Sequence, residues 1–156
     1  MKRSRELPTK WERVRLTEVA RLESGHTPSR GRQEFWGGEI PWVSLQETRK
    51  LDQREIFTTL QSITEKGLQN SSARLLPKGT VIFSRTATIG KTTVLGKPMT
   101  TSQDFANFIC GPKLHNHFLV QLFRSMGQEW QRIMAGSTHN TIYMPDFERL
   151  MIPLPP

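Results

Sequence analysis

The chain has 156 residues, of which 35% are hydrophobic, and a formal charge of +8 from 22 Lys and Arg against 14 Asp and Glu. That length predicts one domain able to bury a core, and no apolar run approaches the roughly 20 residues that span a bilayer. A single cysteine, Cys110, excludes an internal disulfide framework and a cysteine-based zinc cluster, and the polar start Met1-Lys2-Arg3-Ser4-Arg5 is no secretory leader, so the chain reads as cytoplasmic.

Residues 1–15 read as a basic, loosely ordered lead-in, carrying Lys2, Arg3, Arg5, Lys10, Arg13 and Arg15 against Glu6 and Glu12, with Trp11 as its contact to the body. Thr17 is placed to cap a short helix through Glu23, with Val19, Ala20 and Leu22 inward and Gly25 ending it. Residues 25–42 then mix Gly and Pro punctuation with Phe35, Trp36, Ile40 and Trp42. A loop with its own aromatic anchors is a packed loop, and Arg30, Arg32 and Gln33 stand between those anchors. Residues 40–45 read as a strand whose Pro41 marks an edge or irregular position.

Thr64 caps one helical turn weakened by Gly67, and Pro77-Lys78-Gly79 is a turn. Thr80 to Ser84, Thr92 to Leu95 and Phe105 to Cys110 are strands, closely spaced in a way that implies a largely antiparallel sheet. Phe118, Leu119, Leu122, Phe123, Met126, Trp130, Ile133 and Met134 form one apolar stripe of a long helix, with Gly127 as a point of bending. His115 and His117 at its start read as capping and surface groups rather than metal ligands. A polar loop over 136–141, a brief strand at Ile142 to Met144, a tight turn at 145–149 and an extended 150–156 complete the chain.

The charge is concentrated. Between residues 66 and 113, Lys66, Arg74, Lys78, Arg85, Lys91, Lys97 and Lys113 face Asp104 alone, the footprint a polyanion partner requires. No catalytic constellation accompanies it. Thr88-Ile89-Gly90-Lys91-Thr92 ends like a phosphate-binding loop, but Arg85 stands where the first glycine is needed and a strand follows. Asp146 and Glu148 have no lysine nearby to complete a nuclease centre.

The segments Gly25-His26-Thr27-Pro28-Ser29 and Phe35-Trp36-Gly37-Gly38-Glu39-Ile40-Pro41-Trp42 resemble the opening of a target recognition domain of a type I restriction-modification specificity subunit. Similar pieces follow in the same order: 63–68, 76–85, Thr88-Ile89-Gly90, 101–105, Gly136-Ser137-Thr138 and 152–156. The resemblance covers about residues 16–156. It implies an α+β fold, a compact domain with a twisted, mostly antiparallel sheet, a few helices and long DNA-reading loops. It implies sequence-specific binding of double-stranded DNA, one half of a bipartite target, without catalysis by this chain. S-adenosylmethionine, ATP and magnesium belong, on this resemblance, to partner modification (methyltransferase) and restriction subunits, which methylate adenine and cleave. The family's long spacer helix would begin where the sequence stops at Pro156, and the expected state in isolation is a monomer.

The DNA-contact candidates are Arg30, Arg32, Gln33, Lys50, Ser84, Arg85, Thr86, Lys91, Gln103, His139 and Asn140, with Thr88 and Asn107 beside them. Arginine suits guanine, and carboxamides suit adenine. The competing reading is a protein-interaction module, or decoy, docking a methyltransferase subunit through Trp36 and Trp42.

Overall fold

The computed structural model describes residues 6–156; the basic residues Lys2, Arg3 and Arg5 lie outside them. In chain order the elements are β1 (Glu12–Arg15), α1 (Leu16–Val19), β2 (Ala20–Ser24), β3 (Trp36–Val43), β4 (Glu55–Ile56), β5 (Gln61–Ile63), α2 (Glu65–Gln69), β6 (Val81–Ser84), β7 (Thr92–Leu95), β8 (Thr100–Thr101), β9 (Phe105–Cys110), α3 (Asn116–Ser125), α4 (Gly127–Ala135), α5 (Met144–Glu148) and β10 (Met151–Leu154). The expected α+β class holds. A five-stranded sheet in the order β2-β9-β6-β7-β4 is antiparallel except at its β7–β4 edge, and a three-stranded sheet, β5-β3-β8, stands apart from it.

β6 shows why the sheet is central. All four of its residues are buried, and the period of two sends Val81 and Phe83 to one face and Ile82 to the other. Val81 and Phe83 join Leu119, Phe123 and Trp130 from α3 and α4 in the largest apolar cluster, and Ile82 joins Val43, Ile56, Leu95 and Phe105 in a second. Phe83 is the hub of the first cluster, with ring centroids 5.3 Å from Phe123, 4.8 Å from Trp130 and 5.4 Å from Phe147.

Several expectations need correction. Glu12–Arg15 is not loose but a strand, zipped antiparallel to β10 from Glu12↔Leu154 to Arg15↔Met151. Trp11 does meet the body, edge-on to Phe118 at 6.0 Å. The helix expected from Thr17 to Glu23 lasts only from Leu16 to Val19, with Arg15 at its N-cap. Ala20–Ser24 instead pairs along β9 from Ala20↔Cys110 to Ser24↔Ala106, a tertiary contact that overrides weak helical propensity.

The long helix bends where Gly127 was expected to bend it, but the bend is a full break into two helices. At Met126 the backbone turns out of helical geometry, and the Trp130 indole N–H donates to the Phe123 carbonyl at 2.9 Å. That carbonyl also takes the Met126 amide at 3.2 Å, and the apolar stripe continues through the break. Ile142 to Met144 is no strand: Ile142 is buried, and α5 begins at Met144 with Asp146 accepting the Tyr143 amide at 3.0 Å. Thr64 caps α2 as expected, accepting the Gly67 amide at 3.0 Å.

Candidate nucleic-acid interface

Strand direction gathers the candidate loops at one end of the five-stranded sheet. β2 and β6 run towards that end, and β4, β7 and β9 start from it. The segments there are therefore the loop after β2 (25–35), the stretch before β4 (44–54), the β6–β7 loop (85–91) and the turn before β9 (102–104). The 136–142 loop joins them through Arg85, whose carbonyl accepts the Ile142 amide at 2.9 Å and whose Nη1 donates to the Ile142 carbonyl at 3.3 Å. Residues scattered through the sequence from Arg30 to Asn140 thus share one pole of the fold.

The 25–35 loop is held by its tryptophans. Trp42 is 1% exposed and donates its indole N–H to the His26 carbonyl at 3.0 Å, while Trp36 donates to the Ser29 carbonyl at 3.1 Å. The two rings meet edge to face, with centroids 4.9 Å apart. Gly25 passes so close to the β8 end that a β-carbon would lie 2.1 Å from the Ser102 carbonyl oxygen, which explains a glycine here. Arg30 lays its guanidinium over this pair, 4.3 Å from the Trp36 centroid and 5.0 Å from that of Trp42, and donates to Gln61 Oε1 at 2.6 Å. Arg32 reaches Glu34 at 3.6 Å, and Gln33 opens the exposed turn ahead of β3.

The turn before β9 couples two loops. Gln103, exposed, accepts from the Thr27 hydroxyl, and Asp104 accepts from Thr86 Oγ1 at 2.7 Å while its carbonyl takes the Arg85 amide at 2.9 Å. Arg85 is half-buried. Desolvation lowers its guanidinium pKa, and Asp104 acts in the opposite direction. Its bonds make it a brace between loops, with Thr86 beside it. His139 and Asn140 are exposed, Asn140 in a left-handed conformation (φ 50°).

Ser84 is not an outward reader. It is fully buried, its hydroxyl donating to the Thr88 carbonyl and accepting the Lys91 amide at 3.0 Å, so it closes the β6–β7 loop. Asn107 is likewise buried, donating to Thr101 Oγ1 at 2.9 Å, whereas Thr88 is exposed. The lysines reach the expected pole but are engaged: Lys91 lies 2.8 Å from Asp52, and Lys50 lies 3.6 Å from the buried Glu47 carboxylate and 3.2 Å from Thr58 Oγ1.

Sequence reasoning missed Arg49 and Arg54, both exposed in the stretch before β4 and without a carboxylate partner among the described residues. Their loop is pinned by Arg124 of α3, which donates to the carbonyls of Asp52 and Thr92 at 3.1 and 3.0 Å. Neither was legible, because that stretch has no periodicity to place it. The fold also brings Glu55 to 3.6 Å of His117, a neighbour the local sequence does not offer. Among the described residues no three His, Cys, Asp or Glu side chains cluster to hold a metal, and no helix is long and apolar enough to cross a membrane.

The opposite end of the sheet differs in character. A hollow of about 710 Å³ opens there, lined by Val14, Thr17, Ile109, Cys110 and Pro112. Burial pushes the Cys110 thiol up to about 11, so it is protonated and unreactive near neutral pH.

Residues 8–156 match the family described as the type I restriction modification DNA specificity domain. The chain is 30% identical over 151 residues to the type I restriction enzyme MjaIX specificity subunit of Methanocaldococcus jannaschii, covering 96% of this chain and 35% of that protein. It is 26% identical over 145 residues to the EcoprrI specificity subunit of Escherichia coli, with 90% and 35% covered. Among solved structures, the HsdS subunit from Thermoanaerobacter tengcongensis has the same fold, with a TM-score of 0.69 at 23% identity over 97% of this chain and 35% of that one. A chain from a study of assembly and conformational transition of the type I R-M system scores 0.72 at 24% identity, with 97% and 36% covered. This chain therefore spans about a third of the length of the relatives it matches, and it belongs to the type I restriction modification DNA specificity domain family.

Proposed function

We infer that this domain binds double-stranded DNA and reads one half of a bipartite target, as the specificity component of a type I restriction-modification system. The observation that carries the reading is the convergence, in a member of this family, of Arg30, Arg32, Gln33, Lys50, Arg85, Thr86, Lys91, Gln103, His139 and Asn140 on one pole of a rigid sheet. Arg49 and Arg54 add to that pole. Cations there set the register on the phosphates, and a few loop side chains discriminate bases. The chain performs no chemistry; adenine methylation and cleavage fall to modification and restriction subunits, which hold S-adenosylmethionine, ATP and magnesium. In isolation it is a monomer.

The competing idea of a tryptophan-led protein dock has less to offer, since Trp42 is spent on the core and both indole N–H groups are bonded internally. The test is selection from a random duplex library at low and moderate salt, followed by sequencing of the bound pool. Enrichment of a short motif, with affinity falling steeply as salt rises, is the expected result. Binding that ignores salt and sequence would sink the reading.

A further inference from the structure

Two glutamines outside the candidates named from sequence stand beside Arg30. Gln61, at the start of β5, accepts from Arg30 Nη1 at 2.6 Å and donates through Nε2 to Gln46 Oε1 at 3.4 Å. Gln46 is exposed, and its own Nε2 has no partner among the described residues. The three heads form a chain running Arg30, Gln61, Gln46 across the loop-bearing pole, with Gln61 paired in register to Trp42.

Both glutamine backbones are fixed from below. Gln46 sits in a 3-10 turn (Leu45–Glu47) whose entry is capped by Ser44, the Ser44 hydroxyl accepting the Gln46 amide at 3.2 Å. The next residue, Glu47, is 2% exposed, and its carboxylate accepts the amide of Leu60, the neighbour of Gln61. One buried carboxylate thereby ties the two glutamine-bearing segments together. Burying a charge is costly unless it is compensated; here one oxygen takes the Leu60 amide and Lys50 lies 3.6 Å from the other, so the two segments are held at a set separation.

The residual hydrogen-bonding capacity is directional. Arg30 keeps donors on its guanidinium beyond the one given to Gln61, a fork that matches guanine N7 and O6. Gln46 keeps both amide donors and a lone pair on Oε1, the set that pairs with adenine N7 and N6. Linked through a single carboxamide, the bonded atoms of the two heads are at most about 8 Å apart, two to three base-pair steps of roughly 3.4 Å each.

We propose that Gln46 reads an adenine and Arg30 a guanine no more than three base pairs away, with Gln61 the positioning residue that aims the guanidinium. The assignment rests on the DNA-reading function inferred above. It requires neither a bound metal nor the partner subunits, only the major-groove edge of duplex DNA. All three side chains lie outside the apolar clusters, and the melting temperatures report whether their removal disturbs the fold.

The experiment is the same library selection, run on the full chain as wild type, Gln46→Ala, Arg30→Ala and Gln61→Ala, with melting temperatures measured alongside. The wild type is expected to enrich a motif holding an adenine and a guanine at most three positions apart. Gln46→Ala should lose preference at the adenine alone, by about 5- to 150-fold. Arg30→Ala should do so at the guanine, and Gln61→Ala should broaden the guanine position while the adenine and the melting temperature hold. A retained adenine preference in Gln46→Ala, or an even loss across all sequences in either reader variant, overturns the assignment while leaving DNA reading in place. No enriched motif with the wild-type chain at low salt overturns the function itself, and this assignment with it.

Discussion

The interface pole holds two kinds of corner, and they treat positive charge in opposite ways. At the aromatic corner Arg30 is positioned by the faces of Trp36 and Trp42 and by a neutral carboxamide. At the lysine corner Lys91 and Lys50 are positioned by the carboxylates of Asp52 and Glu47. Both arrangements restrict a long side chain, but stacking leaves the cation uncompensated, whereas an ion pair cancels it. An incoming phosphate or base must displace Asp52 to engage Lys91 and need displace no anion to engage Arg30. Proximity to a candidate surface is therefore a poor guide to availability.

The largest way to break this contrast is to remove the floor of the aromatic corner. Trp42→Ala is expected to cost about 3–5 kcal/mol of stability and to abolish sequence preference, as urea denaturation and library selection on the same protein would show. Unchanged stability would mean that Trp42 is not the anchor its burial implies. Next comes Gly25→Ala, whose new methyl would collide with the backbone of Ser102. A loss of about 1–3 kcal/mol by the same denaturation assay is expected, because the backbone it strikes belongs to the turn carrying Gln103.

Asp52→Asn sharpens the comparison instead. The pair is exposed, 33% at Lys91 and 63% at Asp52, so stability should move by no more than about 1 kcal/mol. DNA affinity at low salt should rise, and the slope of log affinity against log salt should steepen by about 0.9 as one more cation meets a phosphate. An unchanged slope would show that Lys91 never reaches the backbone. The smallest effect belongs to neither corner. Because burial raises the Cys110 pKa from 9.0 to about 11, its contribution to stability is full below pH 9 and declines as pH rises towards 11. Thiol alkylation of the native chain should accelerate over that same window, and fast labelling at pH 8 would contradict the burial.

What could be read from the sequence was whatever neighbours decide. Thr64 caps the turn directly after it, β6 announces itself by four residues suited to a doubly covered strand, and the Trp- and Gly-rich stretch is a packed loop because its anchors lie within it. What escaped was decided by distant partners. Ala20–Ser24 is a strand because β9 lies beside it, and Ser84 turns inward because the β6–β7 loop needs its hydroxyl. Gly127 marked where α3 and α4 part, but the Trp130 indole on the Phe123 carbonyl beside that break is a contact that an apolar stripe does not encode. The other ten contact candidates divide in the same way. Most reach one pole through strand direction, but His139 and Asn140 arrive through the Arg85–Ile142 bonds, and the Asp52 that holds Lys91 comes from elsewhere in the chain.

The ribbon of β1 and β10 carries a consequence of another kind. Glu12 pairs with Leu154, so the path into the domain and the path out of it lie side by side. Polypeptide on either flank would meet the same short two-stranded stem, whatever bases the loops prefer. A recombination event that exchanged everything between the two strands would preserve the stem's register and leave the flanking architecture undisturbed. Such an exchange would need no fresh junction.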